Sequence, residues 1–201
     1  MKTIYEYIKP YLTNENSILD VGCIGERNQN GIFTSYCNTL IEFYLVGCFN
    51  KIYGIDIEKL DYNTLLINFT KASKDFKKDL TAIGLNSNSQ LENTYRLKNI
   101  FHFEIVDLEI SNISFTENFD VISLSNILHF LSDKRKDDLL NYCIKNLNPD
   151  GFIYIEARAD SQIPHPIQKD YLLEIFKSFT NLEIEQFENN SNRFRYLFQK
   201  Q

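Results

Sequence analysis

The sequence predicts an α/β fold built on a doubly wound, mostly parallel sheet of seven strands. Short apolar runs alternate with longer segments in which apolar residues recur at helical spacing. This alternation is typical of parallel strands joined by right-handed crossovers, with helices on both faces of the sheet. Two final runs, 182–187 and 193–199, flank a polar stretch and predict a hairpin, so the last strand should be antiparallel. At 201 residues the chain suits a single domain, 1–201.

Five strands are predicted before the hairpin, and helices are predicted between them. The predicted strands are 17–22, 52–57, 101–106, 119–125 and 152–157. The predicted helices are a leading helix within 1–16, one over about 28–46, one over 65–80, one capped by Ser132 and one with Pro166 in its first turn. Residues 84–99 contain the polar run Leu-Asn-Ser-Asn-Ser-Gln and offer little that could form a core, which predicts a surface insertion.

Composition excludes several classes of partner. The chain has 21 Lys plus Arg against 27 Asp plus Glu, a net charge of −6, and no basic stripe, so we expect no nucleic-acid partner. The four scattered cysteines form no C-x-x-C pair, and we expect no disulfide framework and no metal site. The sequence contains neither a signal-peptide pattern nor an apolar run of membrane-spanning length. We therefore expect a cytoplasmic protein with no membrane partner; the oligomeric state stays open.

Candidate ligand-binding residues follow the predicted strands, because ligands of such sheets bind outside the carboxyl ends of the strands. The first strand ends in Asp20-Val-Gly-Cys-Ile-Gly25, where glycines allow a close backbone approach to a ligand. Asp56 ends the second strand and offers an acceptor pair for two ribose hydroxyls. Asp107 follows the third strand, and Ser125-Asn-Ile-Leu-His129 follows the fourth. The pattern predicts a nucleoside-type cofactor.

These segments resemble the class I S-adenosylmethionine-dependent methyltransferases. Four motifs carry the resemblance: Ile-Leu-Asp-Val-Gly-Cys, Tyr-Gly-Ile-Asp-Ile, Glu-Ile-Val-Asp-Leu, and Phe-Asp-Val-Ile-Ser-Leu-Ser-Asn-Ile-Leu-His-Phe-Leu. The Leu-Asn-Pro-Asp-Gly segment is similar to that family's Leu-x-Pro-Gly-Gly turn. Order and coarse spacing agree over roughly residues 15–160. The resemblance implies a Rossmann-like methyltransferase fold and S-adenosyl-L-methionine as cofactor.

The resemblance also implies a set of cofactor-binding residues. They are Asp20, Gly22, Cys23, Ile24, Gly25, Asp56, Ile57, Asp107, Leu108, Ser125 and Asn126. By this likeness the backbone from Gly22 to Gly25 would line the methionine part of the cofactor, and Asp20 would organise its amino group. Asp56 would hold the ribose, and Asp107 would meet the adenine amino group. Ser125 and Asn126 would form the pocket floor beside the methyl group.

Two departures from the family pattern concern the first crossover. The family usually has glycines where Ile24 and Glu26 stand, so this loop keeps only Gly22 and Gly25. The separation between the aspartates that end the first two strands is longer than in the family. The first helix and its flanking loops must therefore be extended.

The acceptor side of the predicted site is defined less sharply. His129 lies just beyond the fourth strand and is the candidate catalytic base, with a purely structural role as the alternative. Glu156, Arg158 and His165 are candidate substrate-binding residues near the end of the fifth strand. Glu156 is either a pocket acid or a salt-bridge partner.

The leading hypothesis is a methyltransferase that acts on an oxygen or nitrogen of a small-molecule acceptor, since the core fold leaves little chain for a macromolecule-binding domain. Because the loop after the first strand keeps only two of the family's glycines, an alternative is a catalytically silent methyltransferase-like subunit that binds a cofactor. A nicotinamide-dependent oxidoreductase would need Gly-x-Gly-x-x-Gly to cradle a pyrophosphate. The spacing of Gly22, Gly25 and Gly31 lacks that pattern.

Overall fold

The computed structural model describes residues 16–25, 29–31, 37–45, 49–65, 67–68, 101–158, 164–183 and 193–201. The chain divides into two compact units, Met1–Ile105 and Val106–Gln201. The predicted leading helix before Asn16, the predicted insertion 84–99 and most of the predicted helix 65–80 lie outside the described residues. That these regions belong to one domain remains a prediction.

The first unit holds three parallel strands in the order β3-β2-β1. They are β1 (Asn16–Val21), β2 (Phe49–Asp56) and β3 (Phe101–Ile105). Every residue of β1 is buried, and its apolar members Ile18, Leu19 and Val21 are 0% exposed. In the register of the first pair Val21 is opposite Ile55, so the carboxyl ends of β1 and β2 lie side by side.

Helix α1 (Asn38–Leu45) begins later than the sequence predicts. Residues 29–31 form a turn, and Cys37 has a φ of 52°, a left-handed conformation that a right-handed helix excludes. The Cys37 amide donates to the Ile24 carbonyl at 3.2 Å instead of continuing a helix. The prediction of a helix from about residue 28 is therefore wrong for these described positions. Residues 62–65 and 67–68 are also helical.

The second unit holds four strands in the order β4-β5-β7-β6. They are β4 (Phe119–Ser125), β5 (Leu147–Arg158), β6 (Thr180–Glu183) and β7 (Arg193–Gln199). Strands β4 and β5 are parallel, whereas β7 is antiparallel to both β5 and β6. The predicted antiparallel last strand is confirmed, and the described strands number seven.

The helices of the second unit lie between its strands in the chain. A 3-10 turn (Leu128–Phe130) follows β4 and leads into α2 (Asp133–Lys145). Leu139, Leu140 and Cys143 are buried residues of α2. Ser132 occupies the N-cap position, but its side chain makes no capping hydrogen bond. Helix α3 (Lys169–Ile175) precedes β6.

Two boundaries in the second unit differ from the predictions. Strand β5 begins at Leu147 rather than at Phe152, with Asp150 at a φ of 61° and a register irregularity in the pairing with β4. Helix α3 begins after Pro166 rather than around it. The reason is that Ile167, only 1% exposed, donates its amide to the Arg158 carbonyl at 3.1 Å and so extends the contacts of β5.

Within the described ranges, no helix is long and apolar enough to cross a membrane.

Candidate functional site

The loop after β1 is held by its backbone. The amides of Gly22 and Cys23 both donate to the Ile55 carbonyl, at 2.8 and 3.2 Å. Gly22 has a φ of 76° and Gly25 a φ of 98°, conformations that residues with a side chain rarely adopt. Both glycines are therefore required by the path of the chain at the point where the sequence predicts a cofactor.

Asp56 joins this loop to the end of β2. One oxygen of its carboxylate, Oδ2, accepts the backbone amide of Ile24 at 2.9 Å. The other oxygen, Oδ1, accepts the amide of Glu58 at 3.1 Å. Because an ionised carboxylate has about four lone-pair sites, each oxygen can accept a further hydrogen bond. Asp56 is half-buried, so it can fix the loop and still receive two hydroxyl donors of a ligand.

The neighbouring side chains of the loop are buried and unreactive. Asp20, Cys23 and Ile24 are 3%, 4% and 1% exposed. Burial raises the pKa of the Cys23 thiol well above its ordinary value, and the adjacent Cys37 thiol and the Asp20 carboxylate act in the same direction. Cys23 is therefore a buried thiol that stays neutral and packs in the core. Ile57, in contrast, is 61% exposed directly after β2.

In the second unit, Asp107 begins a single turn of chain. Its Oδ1 accepts the Glu109 amide at 3.0 Å, and its backbone carbonyl accepts the amides of Ile110 and Ser111 at 3.1 and 2.8 Å. The second carboxylate oxygen has no hydrogen-bond partner in the part of the chain that the structure describes. Asp107 and Leu108 are half-buried. This arrangement leaves one carboxylate oxygen of Asp107 for a ligand donor.

Asn126 follows β4 in a left-handed conformation with a φ of 57°. Its amide donates to the Glu156 carbonyl at 2.8 Å, and its Nδ2 approaches the Ser125 hydroxyl at 3.4 Å. The side-chain Oδ1 is buried and has no hydrogen-bond partner among the described residues. A buried acceptor left without a donor costs about 1–3 kcal/mol, so this oxygen is suited to a donor from a ligand.

His129, the candidate base, lies in the 3-10 turn and is 4% exposed. Its ring centroid is 4.3 Å from that of Phe130, whose side chain is 59% exposed. The structure thus places a buried imidazole behind an exposed aromatic ring, directly after β4. A role for His129 in proton transfer remains a prediction.

Glu156 is a salt-bridge partner, which was one of the two alternatives left open by the sequence. Glu156 is buried, with 6% of its surface exposed. Its carboxylate oxygen Oε2 accepts hydrogen bonds from Arg195 Nε at 3.1 Å and from the Tyr154 hydroxyl at 3.0 Å. Arg195 was not predicted from the sequence. The register that places Glu156 opposite Arg195 arises from the antiparallel pairing of β5 with β7, and no local pattern encodes it.

The two other candidate substrate residues occupy different surroundings. Arg158 ends β5, is half-buried, and accepts the Ile167 amide with its carbonyl. His165 is exposed and lies near Asp133 at the start of α2. The pKa of the Asp133 carboxyl is lowered chiefly by its hydrogen bond and charge interaction with Lys136, and to a smaller extent by His165. Lys136 itself is 3% exposed and was not singled out from the sequence.

Within the described ranges, His, Cys, Asp and Glu side chains form no group of three that could hold a metal ion.

Several solved structures share the fold of this chain. N-methyltransferase NodS from Bradyrhizobium japonicum WM9, in complex with S-adenosyl-L-homocysteine, is 14% identical, with a TM-score of 0.56 over 92% of this chain and 78% of that one. A TehB-like SAM-dependent methyltransferase from Corynebacterium glutamicum is 19% identical, with a TM-score of 0.56 over 100% and 90%. An rRNA methylase from Streptococcus thermophilus is 14% identical, with a TM-score of 0.53 over 98% and 93%. No family model and no curated protein matches the chain.

These structures define the class of fold. The chain has the Rossmann-like fold of the class I S-adenosylmethionine-dependent methyltransferases, and the predicted seven-stranded, mostly parallel architecture is confirmed. The chain spans more than three quarters of each of these three neighbours.

Proposed function

We propose that this protein is an S-adenosylmethionine-dependent methyltransferase that methylates an oxygen or nitrogen of a small-molecule acceptor. The main support for this proposal is that Asp56 has two roles, one in the backbone and one towards a ligand. Its carboxylate braces the glycine loop through the Ile24 amide and retains acceptor capacity at both oxygens for vicinal hydroxyls. A ribose supplies such a pair of hydroxyls, and NodS, with the same fold, is in complex with S-adenosyl-L-homocysteine.

The residues present fit the cofactor. In the first unit, the left-handed backbone at Gly22 and Gly25 suits a close approach by the methionine part, with Asp20 organising its amino group and Ile57 beside the nucleoside. Asp107 offers one carboxylate oxygen for the adenine amino group, next to Leu108. Ser125 and Asn126 are proposed to contact the cofactor near its methyl group.

The protein's part in the reaction is mainly alignment. S-Adenosylmethionine supplies a methyl group already activated by a sulfonium centre. Holding the nucleophile in line with that group can contribute about 7–11 kcal/mol to the lowering of the barrier. The buried Asn126 Oδ1 is suited to accept the N–H or O–H of the acceptor and thereby orient its lone pair. His129 would take a proton only from an acceptor that must lose one to react.

The proposed acceptor is a small molecule rather than a nucleic acid. The support is electrostatic, because the net charge of −6 and the absence of a basic stripe in the sequence disfavour a polyanion. The structural neighbours do not decide between these acceptors, since one is an N-methyltransferase and another an rRNA methylase. Glu156, Arg158 and His165 are proposed to lie towards the acceptor, with Glu156 acting through its ion pair with Arg195.

An acceptor screen tests this proposal. The purified protein is supplied with S-adenosylmethionine and panels of alcohols, amines, sugars, carboxylic acids and ribosomal RNA, and release of S-adenosylhomocysteine is measured. We expect turnover with at least one small molecule, lowered at least about tenfold in Asn126→Ala and unchanged in the neighbouring-region control Asn118→Ala. Turnover with RNA alone would contradict the small-molecule proposal. Cofactor binding without turnover on any acceptor would instead indicate a binding subunit.

A further inference from the structure

Arg135, near the start of α2, forms hydrogen bonds to the short turn that contains Asp107. Its Nε donates to the Leu108 carbonyl and its NH2 donates to the Ser111 carbonyl. Its NH1 donates to Asn112 Oδ1 at 3.1 Å and to Asp138 Oδ2 at 3.2 Å. The side chain is only 17% exposed. A single guanidinium therefore binds the turn at Leu108 and Ser111 and also the residue that follows it, Asn112.

A second contact fixes the same turn to the start of α2. The Glu109 carboxylate accepts the backbone amide of Ser132 at 2.5 Å. Ser132 occupies the N-cap position of α2, where its own hydroxyl makes no capping bond. The turn is thus tied to the start of α2 by two side chains, by Glu109 from within the turn and by Arg135 at the carbonyls of Leu108 and Ser111.

The physical reason for an arginine at this position is the geometry of the turn. A single turn leaves its last carbonyls without partners of its own, and an unsatisfied carbonyl is costly when water is partly excluded. Arginine offers five N–H donors in a rigid planar fork, whereas the lysine ammonium is a compact point charge. Because the guanidinium is mostly buried, it is less screened than the ion pairs of the surface.

We propose that Arg135 is a positioning residue for recognition of the adenine base. The Asp107 Oδ1 is already bound to the Glu109 amide, so the turn sets the orientation of the whole carboxylate. Arg135 holds the turn and so keeps the second oxygen of Asp107 in place for the exocyclic amino group of adenine. The inference rests on the proposed function, because it requires that Asp107 meets the base.

A comparison of two ligands tests this role. Dissociation constants are measured calorimetrically for S-adenosylhomocysteine and for its inosine counterpart, which carries a carbonyl in place of the amino group. Wild-type protein should prefer the adenosine compound by about 10- to 100-fold, the ratio expected of a hydrogen bond to a charged group. In Arg135→Ala the ratio should fall to within about threefold of unity, and Arg135→Lys should restore little of it. Lys134→Ala, the control one position earlier on α2, should keep the wild-type ratio.

The outcomes separate this inference from the proposed function. Binding of neither ligand by folded wild-type protein would overturn both. A wild-type preference for adenosine that persists in Arg135→Ala would overturn the positioning role alone. A merely structural role would weaken both ligands equally and leave the ratio unchanged, which also contradicts the inference. If Arg135→Ala fails to fold, Glu109→Ala replaces it in the test, because it removes the acceptor of the Ser132 amide that ties the turn to α2 and should lower the same ratio.

Discussion

The Asp56 carboxylate accepts a hydrogen bond from the backbone amide of Ile24 at 2.9 Å, across 32 residues of sequence. This bond ties the loop after β1 to the end of β2. The same carboxylate closes the local turn to Glu58. Asp56 is therefore both a candidate ligand contact and a brace for the backbone that would surround the ligand.

Replacing Asp56 with Ala should weaken the binding of S-adenosylhomocysteine by about 1.5–3 kcal/mol, the usual range for hydrogen bonds to a charged group. It should also lower the free energy of unfolding by about 1 kcal/mol, because two backbone amides lose their acceptor. Calorimetric titration and urea unfolding measure the two effects.

The matched control for Asp56 is Asp61→Ala. Asp61 is an exposed aspartate of the same unit that makes similar local bonds, to the Asn63 amide and the Thr64 hydroxyl. Its replacement should leave the affinity for S-adenosylhomocysteine unchanged. Equal affinities of the Asp56 variant and the wild type would show that the ribose contact has been assigned to the wrong residue.

Gly54 in β2 should not tolerate a side chain. A Cβ there would lie 2.8 Å from the Cys23 sulfur, 3.1 Å from Leu40 and 3.3 Å from Phe103. Overpacking of this kind costs about 1–3 kcal/mol, so Gly54→Ala should lower the free energy of unfolding by that amount.

A double-mutant cycle identifies the contact responsible for that cost. The Cys23→Ala replacement removes the nearest atom, so the double variant should lose at least about 1 kcal/mol less than the sum of the two single variants. Additive losses would mean that Gly54 does not pack against Cys23.

The buried ion pair between Glu156 and Arg195 predicts an asymmetric mutational response. Arg195→Ala leaves a buried carboxylate without its cation, which should lower the free energy of unfolding by about 2–3 kcal/mol. Adding Glu156→Gln should restore much of this loss, because the uncompensated charge is removed. Thermal unfolding of the three variants gives the comparison. A double variant no more stable than Arg195→Ala would argue against charge burial as the cause.

Stability should fall at alkaline pH in part through Cys143. Burial raises the pKa of this thiol above its unfolded value of about 8.5. The neutral thiol is therefore favoured by folding, and this contribution is complete below the unfolded pKa and is lost as pH rises above it. Between pH 8.5 and 9.5 the loss from one such thiol is about 1 kcal/mol. Urea unfolding of Cys143→Ala should show a shallower decline over this range than the wild type, and identical slopes would contradict the assignment.

Sequence patterns predicted most strands well because each is defined by its own residues, although β5 begins at Leu147 rather than at Phe152. β4 was placed at its observed bounds, and the ends of β1 and β2 brought the glycine loop and Asp56 together as expected. The start of α1 and the start of α3 were misplaced because long-range backbone bonds decide them. The bonds are Cys37 to Ile24 in one case and Ile167 to Arg158 in the other.

In the candidate site, too, features set by local sequence were predicted, whereas features set by long-range contacts were not. Asp56 and Asp107 were singled out as candidates from their positions after strands, but the bracing of the loop by Asp56 was not predicted, since it joins residues far apart in sequence. Arg195 and Arg135 were missed for the same reason: the first depends on the register of β5 with β7, and the second on the packing of a turn against α2.

Calorimetric titration of the folded wild-type protein with S-adenosylhomocysteine, with NAD titrated in parallel, tests most directly whether this chain binds the methyltransferase cofactor. We expect saturable binding of S-adenosylhomocysteine at one site per chain and no heat from NAD. At about 100 times the dissociation constant, the ligand should add roughly 2.7 kcal/mol to the free energy of unfolding. Binding of NAD but not of S-adenosylhomocysteine, or binding of neither by protein shown to be folded, would contradict the central claim.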